Sequence, residues 1–309
     1  SACLVGSEMC IRDSPCNYVF IFDKTQYMEL SNEGIETVYY CPLAVNTERL
    51  KLMFNNEDSV KNQLYAGDIS FIGSMYNEKH NLYDRLCGVN DYTKGYLDAI
   101  MKVQRSIYGY FFLENMLKGD VLDEMMRVCP VKPNEDGVET VQYVYANYFL
   151  ARRMATDERT DILSRVGREL GRENKINLYT PDASVRFINV NNKGTVDYYN
   201  EMPYVFRNSR INLNITLRSI KSGIPLRCMD ICGAGGFLLS NYQADLYDVF
   251  VPGEDMVIYD SIDDLMNKCK YYLSHDAERR QIAQNGFGKI EEKHTYDVRF
   301  EEIFNRVFN

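Results

Sequence analysis

The stretch from Asn208 to Gln243 constrains the fold more than any other part of the chain, because it alternates extended and helical signals over a short distance. Residues 209–215 predict a strand, and residues 237–239 predict a second, buried strand. Between them, Pro225 stands where a helix can begin, since its missing N–H is not needed in a first turn. Gly233, Gly235 and Gly236 predict the end of that helix.

The loop and first helical turn of this stretch hold three cations and, one turn later, a carboxylate. The cations are Arg218, Lys221 and Arg227, and the carboxylate is Asp230. A helix N-terminus surrounded by positive charge suits a phosphate group, and a nearby carboxylate suits the two hydroxyls of a ribose. The alternative is an exposed helical ion pair between Arg227 and Asp230 at i, i+3 spacing.

These residues resemble the donor-binding motif of glycosyltransferases with the GT-B fold, specifically the CgeB-like, spore-maturation branch. The family pattern is a strand ending N-x-T, then S-G-x-P-x-R, an acidic residue and G-G, matched here by Asn214–Thr216, Ser222–Arg227, Asp230 and Gly235–Gly236. The similarity extends from about Val19 to the C-terminus. Related retaining enzymes carry two glutamates eight positions apart, and here Ser222 and Asp230 stand at those positions.

The resemblance implies a bacterial, metal-independent glycosyltransferase that uses a nucleoside diphosphate-sugar and an acceptor that the sequence does not name. The donor diphosphate would face the turn after a strand at 68–71, with a lysine in the next helix, and the nucleobase would lie near a later glycine. The donor-binding residues implied in this way are Gly73, Ser74, Lys79, Gly194, Arg218, Arg227, Asp230, Gly235 and Gly236. No catalytic residue is assigned, and Lys79 has an alternative as a solvated helix charge.

Metal independence agrees with the absence of an Asp-x-Asp triplet from the sequence. A helix N-terminus, backbone N–H groups and cations can together neutralise a leaving diphosphate. The glycines at 235 and 236 follow a helix and precede a strand, which is the wrong order for a dinucleotide fingerprint. From the residues alone they indicate a left-handed turn with close packing.

Alternating strand and helix signals at 68–86 and 176–292 predict an α/β fold. The predicted architecture is a doubly wound, Rossmann-like parallel sheet of the GT-B type, with a helical insert at 92–172. The predicted domains are a remnant of a second Rossmann-like acceptor domain with its linker at 17–60, and a donor-binding domain at 61–309.

The first sixteen residues differ from the rest and resemble translated adaptor sequence. Strands predicted at 17–23 and 36–40, with a helix between them, make one βαβ unit and not a domain. We therefore expect an N-terminally truncated chain that binds the donor and transfers sugar slowly or not at all.

Net charge, cysteine content and the lengths of the apolar runs argue against several other classes of function. A formal charge of −9 argues against nucleic acid as the main ligand. Nine cysteines without a paired motif indicate reduced thiols and a cytoplasmic protein, and no apolar run approaches the length of a membrane span. Two other functions stay open, a non-catalytic nucleotide-sugar-binding module and a GT-B-like epimerase, although no acid–base pair for an epimerase is evident.

Overall fold

A computed structural model of the chain describes residues 16–56, 58–77, 81–132 and 139–308. Contacts between residues divide the chain into two compact units. The first unit comprises residues up to 41 together with 76–158 and 217–222, and the second comprises 42–75, 159–216 and 223–309. The domain boundaries proposed from the sequence stay a prediction.

Eight strands and fourteen α-helices are described, and they are numbered here in chain order. The strands are β1 (Val19–Ile21), β2 (Val38–Tyr40), β3 (Gly67–Ile72), β4 (Ile176–Tyr179), β5 (Val190–Asn192), β6 (Ser209–Asn214), β7 (Leu238–Asn241) and β8 (Val257–Tyr259). The helices before the long central helix are α1 (Lys24–Asn32), α2 (Thr47–Asn55), α3 (Ser59–Tyr65), α4 (Asp91–Arg105), α5 (Leu113–Met116), α6 (Gly119–Val128) and α7 (Val141–Val144). The remainder are α8 (Ala151–Leu170), α9 (Met202–Asn208), α10 (Leu226–Gly233), α11 (Leu246–Val249), α12 (Ile262–Ser274), α13 (Asp276–Lys293) and α14 (Tyr296–Phe308).

The second unit is built on a six-stranded sheet in the order β5-β4-β3-β6-β7-β8. Every neighbouring pair in this sheet is parallel. Relative to β3, the order is that of a Rossmann-type doubly wound sheet, which reverses direction between β3 and β6. The predicted α/β fold with a doubly wound parallel sheet is therefore confirmed.

Both faces of this sheet are buried under helices, as an all-parallel sheet requires. Along β3, Ile69 and Phe71 pack on one face with Ile162 of α8, whereas Ile72 packs on the other face. That second face is covered by apolar side chains of α9 and α10, including Met229. The alternation follows from the two-residue period of a strand.

Two details of the second unit test local sequence signals. The side chain of Ser261 accepts a hydrogen bond from the N–H of Asp264 and so caps the N-terminus of α12. Glycine often marks the end of a helix, but α13 continues past Gly286 to Lys293. A glycine is needed at this position because a Cβ there would sit 2.4 Å from the backbone oxygen of Asp255.

The first unit contains a small β1-α1-β2 element and a cluster of helices. The strands are parallel, with Val19 opposite Val38. Leu97, Ile100 and Met101 form a buried stripe on α4. That helix ends at Arg105, where the buried side chain of Gln104 forms hydrogen bonds with the following loop.

The part of the chain that the structure describes contains no helix both long enough and apolar enough to cross a membrane.

Candidate functional site

Two residues from different βα connections meet where the sheet reverses direction. Gly73 directly follows β3, and Arg227 lies in the first turn of α10, which follows β6. A Cβ built on Gly73 would lie 3.4 Å from both terminal nitrogens of the Arg227 guanidinium. The missing side chain therefore leaves the backbone at residue 73 directly beside a cation. In open α/β sheets, ligands bind at this carboxyl edge and at this reversal point.

Asp230 lies one turn further along α10 and is held by a tyrosine. The hydroxyl of Tyr198 is 3.1 and 3.0 Å from the two carboxylate oxygens. Burial raises the pKa of Asp230 to about 6, although the bond from Tyr198 and the charges of Arg227 and Arg49 act in the opposite direction. Burial also raises the pKa of Tyr198, so this phenol is a hydrogen-bond donor at neutral pH. The carboxylate is therefore poised to accept further hydrogen bonds as it ionises.

Arg49 joins the same group of side chains from α2. Its Nη1 donates to the backbone oxygen of Tyr199 at 2.7 Å, and its guanidinium lies 5.4 Å from the centre of the Tyr199 ring. A small pocket lies between Arg49, Tyr198 and Asp230. Neither Arg49 nor Tyr198 has a signal in the sequence, because neither lies in the motif and Tyr198 is 32 residues from Asp230.

Gly194 begins the loop that leads to Tyr198. It has φ of +77°, and a Cβ built on it would have no atom within 4 Å. Its N–H donates to the side chain of Asn192, the last residue of β5, at 3.0 Å. The loop therefore starts at the carboxyl edge of the sheet with an open backbone surface. A contact between Gly194 and a nucleobase stays a prediction.

Ser74 is connected to the loop after β6 by an arginine that the sequence analysis also missed. Arg159, which is 4% exposed, donates one guanidinium nitrogen to the backbone oxygen of Ser74. Its other terminal nitrogen donates to the backbone oxygen of Ile215 at 2.8 Å. Arg159 therefore fixes the two loops at the reversal point relative to each other. Lys79 lies outside the described residues.

Arg218 occupies a different environment, in the first unit. Its guanidinium is 2.7 Å from Glu158 and stacks 3.6 Å from the centre of the Tyr108 ring. It also donates to the backbone oxygen of Arg105 at 3.1 Å. Its charge is thus compensated inside the protein, and its predicted contact with a donor phosphate has no support from this position.

Gly235 and Gly236 lie at the opposite end of α10 from Arg227. The N–H of Gly236 donates to Ile231 and that of Gly235 to Cys232, both at 2.9 Å, and Gly235 has φ of +76°. This is a Schellman motif, which closes a helix C-terminus. Since an eight-residue helix is about 12 Å long, the two glycines face the amino edge of the sheet and not the predicted donor site. Their position supports the structural interpretation and not donor contact.

Ser222, which stands at the position of the first glutamate in the related enzymes, is buried in the first unit. Its N–H and hydroxyl donate to the two carboxylate oxygens of Asp23 at 3.1 and 3.0 Å. Its oxygen accepts from the N–H of Thr25 at 2.9 Å. A glutamate here would place a second carboxylate against Asp23, which explains physically why a small hydroxyl residue is accommodated.

A metal centre receives no support from the cysteines near the site. Cys228 and Cys232 are both buried, and burial raises the pKa of Cys228 to about 12. Among residues 16–56, 58–77, 81–132 and 139–308, no three Asp, Glu, His or Cys side chains are grouped to bind a metal ion.

Comparison with known proteins links the second unit to one family. A family model described as "Glycosyl transferase-like" matches residues 152–305, a segment that includes α10 and the loop carrying Gly194 and Tyr198. A comparison with curated protein sequences gave no match.

Solved structures also resemble the chain, at low identity. Sucrose-phosphate synthase from Thermosynechococcus elongatus is 10% identical, with 97% of this chain and 60% of that chain covered and a TM-score of 0.45. A glycosyltransferase from Rickettsia africae is 8% identical, with coverage of 97% and 65% and a TM-score of 0.48. HepE from Anabaena, in complex with UDP and glucose, is 7% identical, with coverage of 94% and 63% and a TM-score of 0.47.

The chain spans less than two thirds of the length of each of these three proteins. The family model is the more specific result, and it shows that residues 152–305 are similar to the family described as "Glycosyl transferase-like".

Proposed function

We propose that this chain is a CgeB-like glycosyltransferase that binds a nucleoside diphosphate-sugar and transfers the sugar to an acceptor. The observation that carries the proposal is the closeness of the Arg227 guanidinium to Gly73, where a built Cβ would lie 3.4 Å from both terminal nitrogens, one helical turn from the half-buried carboxylate of Asp230. The family match over residues 152–305 supports the same reaction class.

In the proposed complex, the diphosphate lies against the Gly73 backbone and the guanidinium of Arg227. Arginine matches phosphate oxygens in a bidentate geometry, and the N-terminus of α10 adds a favourable dipole. These groups stabilise the charge that develops on the leaving diphosphate, so we propose that no metal ion is required. The carboxylate of Asp230 accepts hydrogen bonds from the two ribose hydroxyls, and the hydroxyl of Tyr198 orients that carboxylate by donating a hydrogen bond to it.

The experiment is calorimetric titration of the full chain with a panel of nucleoside diphosphates and their sugars, with and without a metal chelator. Losing a hydrogen bond to a charged group removes about 1.5–3 kcal/mol of binding free energy, so Arg227→Gln and Asp230→Ala are each expected to weaken binding by that amount. Arg168→Gln, on the exposed side of α8, is the matched control and should bind as the parent does. Absence of binding, or its loss on chelation, contradicts the donor site as proposed.

A non-catalytic nucleotide-sugar-binding module is the second candidate, and one observation favours it. Ser222, at a position where related retaining enzymes have a glutamate, is committed to Asp23 by two hydrogen bonds. Binding of a donor without release of nucleoside diphosphate, across a panel of acceptors, favours the module. Measurable release in the parent that Arg227→Gln abolishes favours the transferase.

We also propose a cytoplasmic location. Five cysteines, Cys87, Cys129, Cys228, Cys232 and Cys269, are free thiols, which is typical of a reducing compartment. Mass spectrometry of the intact native protein tests this. The mass should be the same before and after reduction if the cysteines are free thiols.

A further inference from the structure

A cavity of about 450 Å³ lies at the amino edge of the sheet in the second unit. Its walls come from the residues preceding β6 and β7 and from one face of α13. Since β6 has six residues and is about 20 Å long, the cavity is separated by the length of a strand from the reversal point at Gly73. Its volume is within the range of small-molecule sites, about 300–1,000 Å³.

Four arginines line this cavity, namely Arg207, Arg210, Arg279 and Arg280. Asp276 pairs with Arg279 and, at 2.7 Å, with Arg280. Arg210 is 3.2 Å from Asp68 and 3.9 Å from Asp276. Among the described ion pairs, two carboxylates therefore face four guanidinium groups, which leaves two positive charges in excess in a chain whose net charge is −9.

Arg207 contributes most to this excess. Its guanidinium lies 4.4 Å from the centre of the Phe54 ring, and no acidic side chain of the described residues pairs with it. Arg280 pairs with Asp276 but remains 75% exposed, so it can reorient towards a ligand at small cost. The two side chains come from different helices, α9 and α13. An anion between them would therefore bridge separate elements.

Arg279 provides an independent observation. It is 7% exposed, and its terminal nitrogens donate to the backbone oxygen of Arg210 and to Asp276. Its Nε is buried without a hydrogen-bond partner. A buried donor that lacks an acceptor is unfavourable, so the Arg279 guanidinium is incompletely satisfied beside the cavity.

We propose that this arginine cavity is a binding site for a phosphorylated small molecule, independent of the nucleotide site proposed above. A phosphate monoester carries about −1.5 to −2 charges at pH 7, which matches the excess positive charge. One guanidinium group can donate two parallel hydrogen bonds to two oxygens of a phosphate. The apolar wall at Phe237, Ala283 and Phe287 accommodates the uncharged remainder of the ligand.

The test uses inorganic phosphate and an Arg227→Gln background, so that phosphate at the donor site does not contribute. Phosphate is expected to bind this variant in calorimetry and to raise its unfolding temperature above that in potassium chloride of equal ionic strength. Adding Arg207→Gln and Arg280→Gln, both at exposed positions, should raise the dissociation constant about tenfold or more. Adding Arg168→Gln instead is the matched control and should leave phosphate binding unchanged.

Loss of phosphate binding only in the variant that lacks Arg207 and Arg280 supports the arginine cavity. No phosphate binding in the Arg227→Gln background, or equal binding in all three variants, overturns it. Neither result bears on nucleotide binding by the parent chain, so the two proposals fail separately.

Discussion

Replacing Asp230 with asparagine is expected to stabilise the protein at neutral pH while it removes the proposed ribose contact. Burial raises the pKa of this carboxyl from its ordinary value of 3.8 to about 6. The folded state therefore holds a proton that the unfolded state has already released between these two pH values. Stability consequently falls as the pH rises from about 4 to about 6, and the full cost persists above that range.

The magnitude follows from the two pKa values. At about 1.4 kcal/mol per pH unit, a difference between 3.8 and about 6 corresponds to a cost of about 3 kcal/mol above pH 6. Asparagine has nearly the same shape and carries no charge, so it avoids this cost. The unfolding free energy of Asp230→Asn relative to the parent should therefore increase by about 1–3 kcal/mol from pH 4 to pH 7.5. Any fixed effect of the amide cancels in that difference.

The assay is urea unfolding of both proteins, without nucleotide, at several pH values between 4 and 7.5. Asp123→Asn, at an exposed position on α6, is the matched control and should show no change with pH relative to the parent. The assignment of a raised pKa to Asp230 is refuted if the difference in unfolding free energy between Asp230→Asn and the parent is constant with pH. It is also refuted if that difference shifts in favour of the parent as the pH rises.

Three further substitutions test the packing and the local bonding. Gly236→Ala should lose about 1–3 kcal/mol in urea unfolding, because its Cβ would lie 2.5 Å from a backbone oxygen, whereas Gly288→Ala, with nothing within 4 Å, should be neutral or stabilising. Equal effects of the two would contradict the close approach at residue 236. Ser222→Glu should destabilise the protein by at least about 1.5–3 kcal/mol, because it brings a second carboxylate against the buried carboxylate of Asp23. The loss should be larger at pH 8 than at pH 5, and an unchanged thermal unfolding temperature would argue against that contact. Tyr198→Phe removes a donor from Asp230, so carboxyl NMR titration should show its pKa rising above about 6, and a fall would show that the hydroxyl does not stabilise the ionised form.

The sequence alone predicted the elements that depend on local chemistry. Continuous apolar runs predicted the buried strands around Phe71 and Leu239, and proline and glycine predicted the two ends of α10. The order of these elements was enough to predict a doubly wound parallel sheet, because parallel strands require crossover helices. The family resemblance implied Gly73 as a donor-binding residue, and the charged helix N-terminus together with that resemblance implied Arg227.

Only the tertiary structure decided which of the predicted site residues share a surface. An arginine has the same local sequence signature whether its guanidinium faces a ligand or a buried glutamate. In the structure, Arg218 forms an ion pair with Glu158, whereas Arg227 lies beside Gly73. The partner of Asp230 is Tyr198, which no local pattern connects with it. Long-range contacts and burial determine both outcomes, since desolvation depends on every element packed around a group and not on its neighbours in the chain.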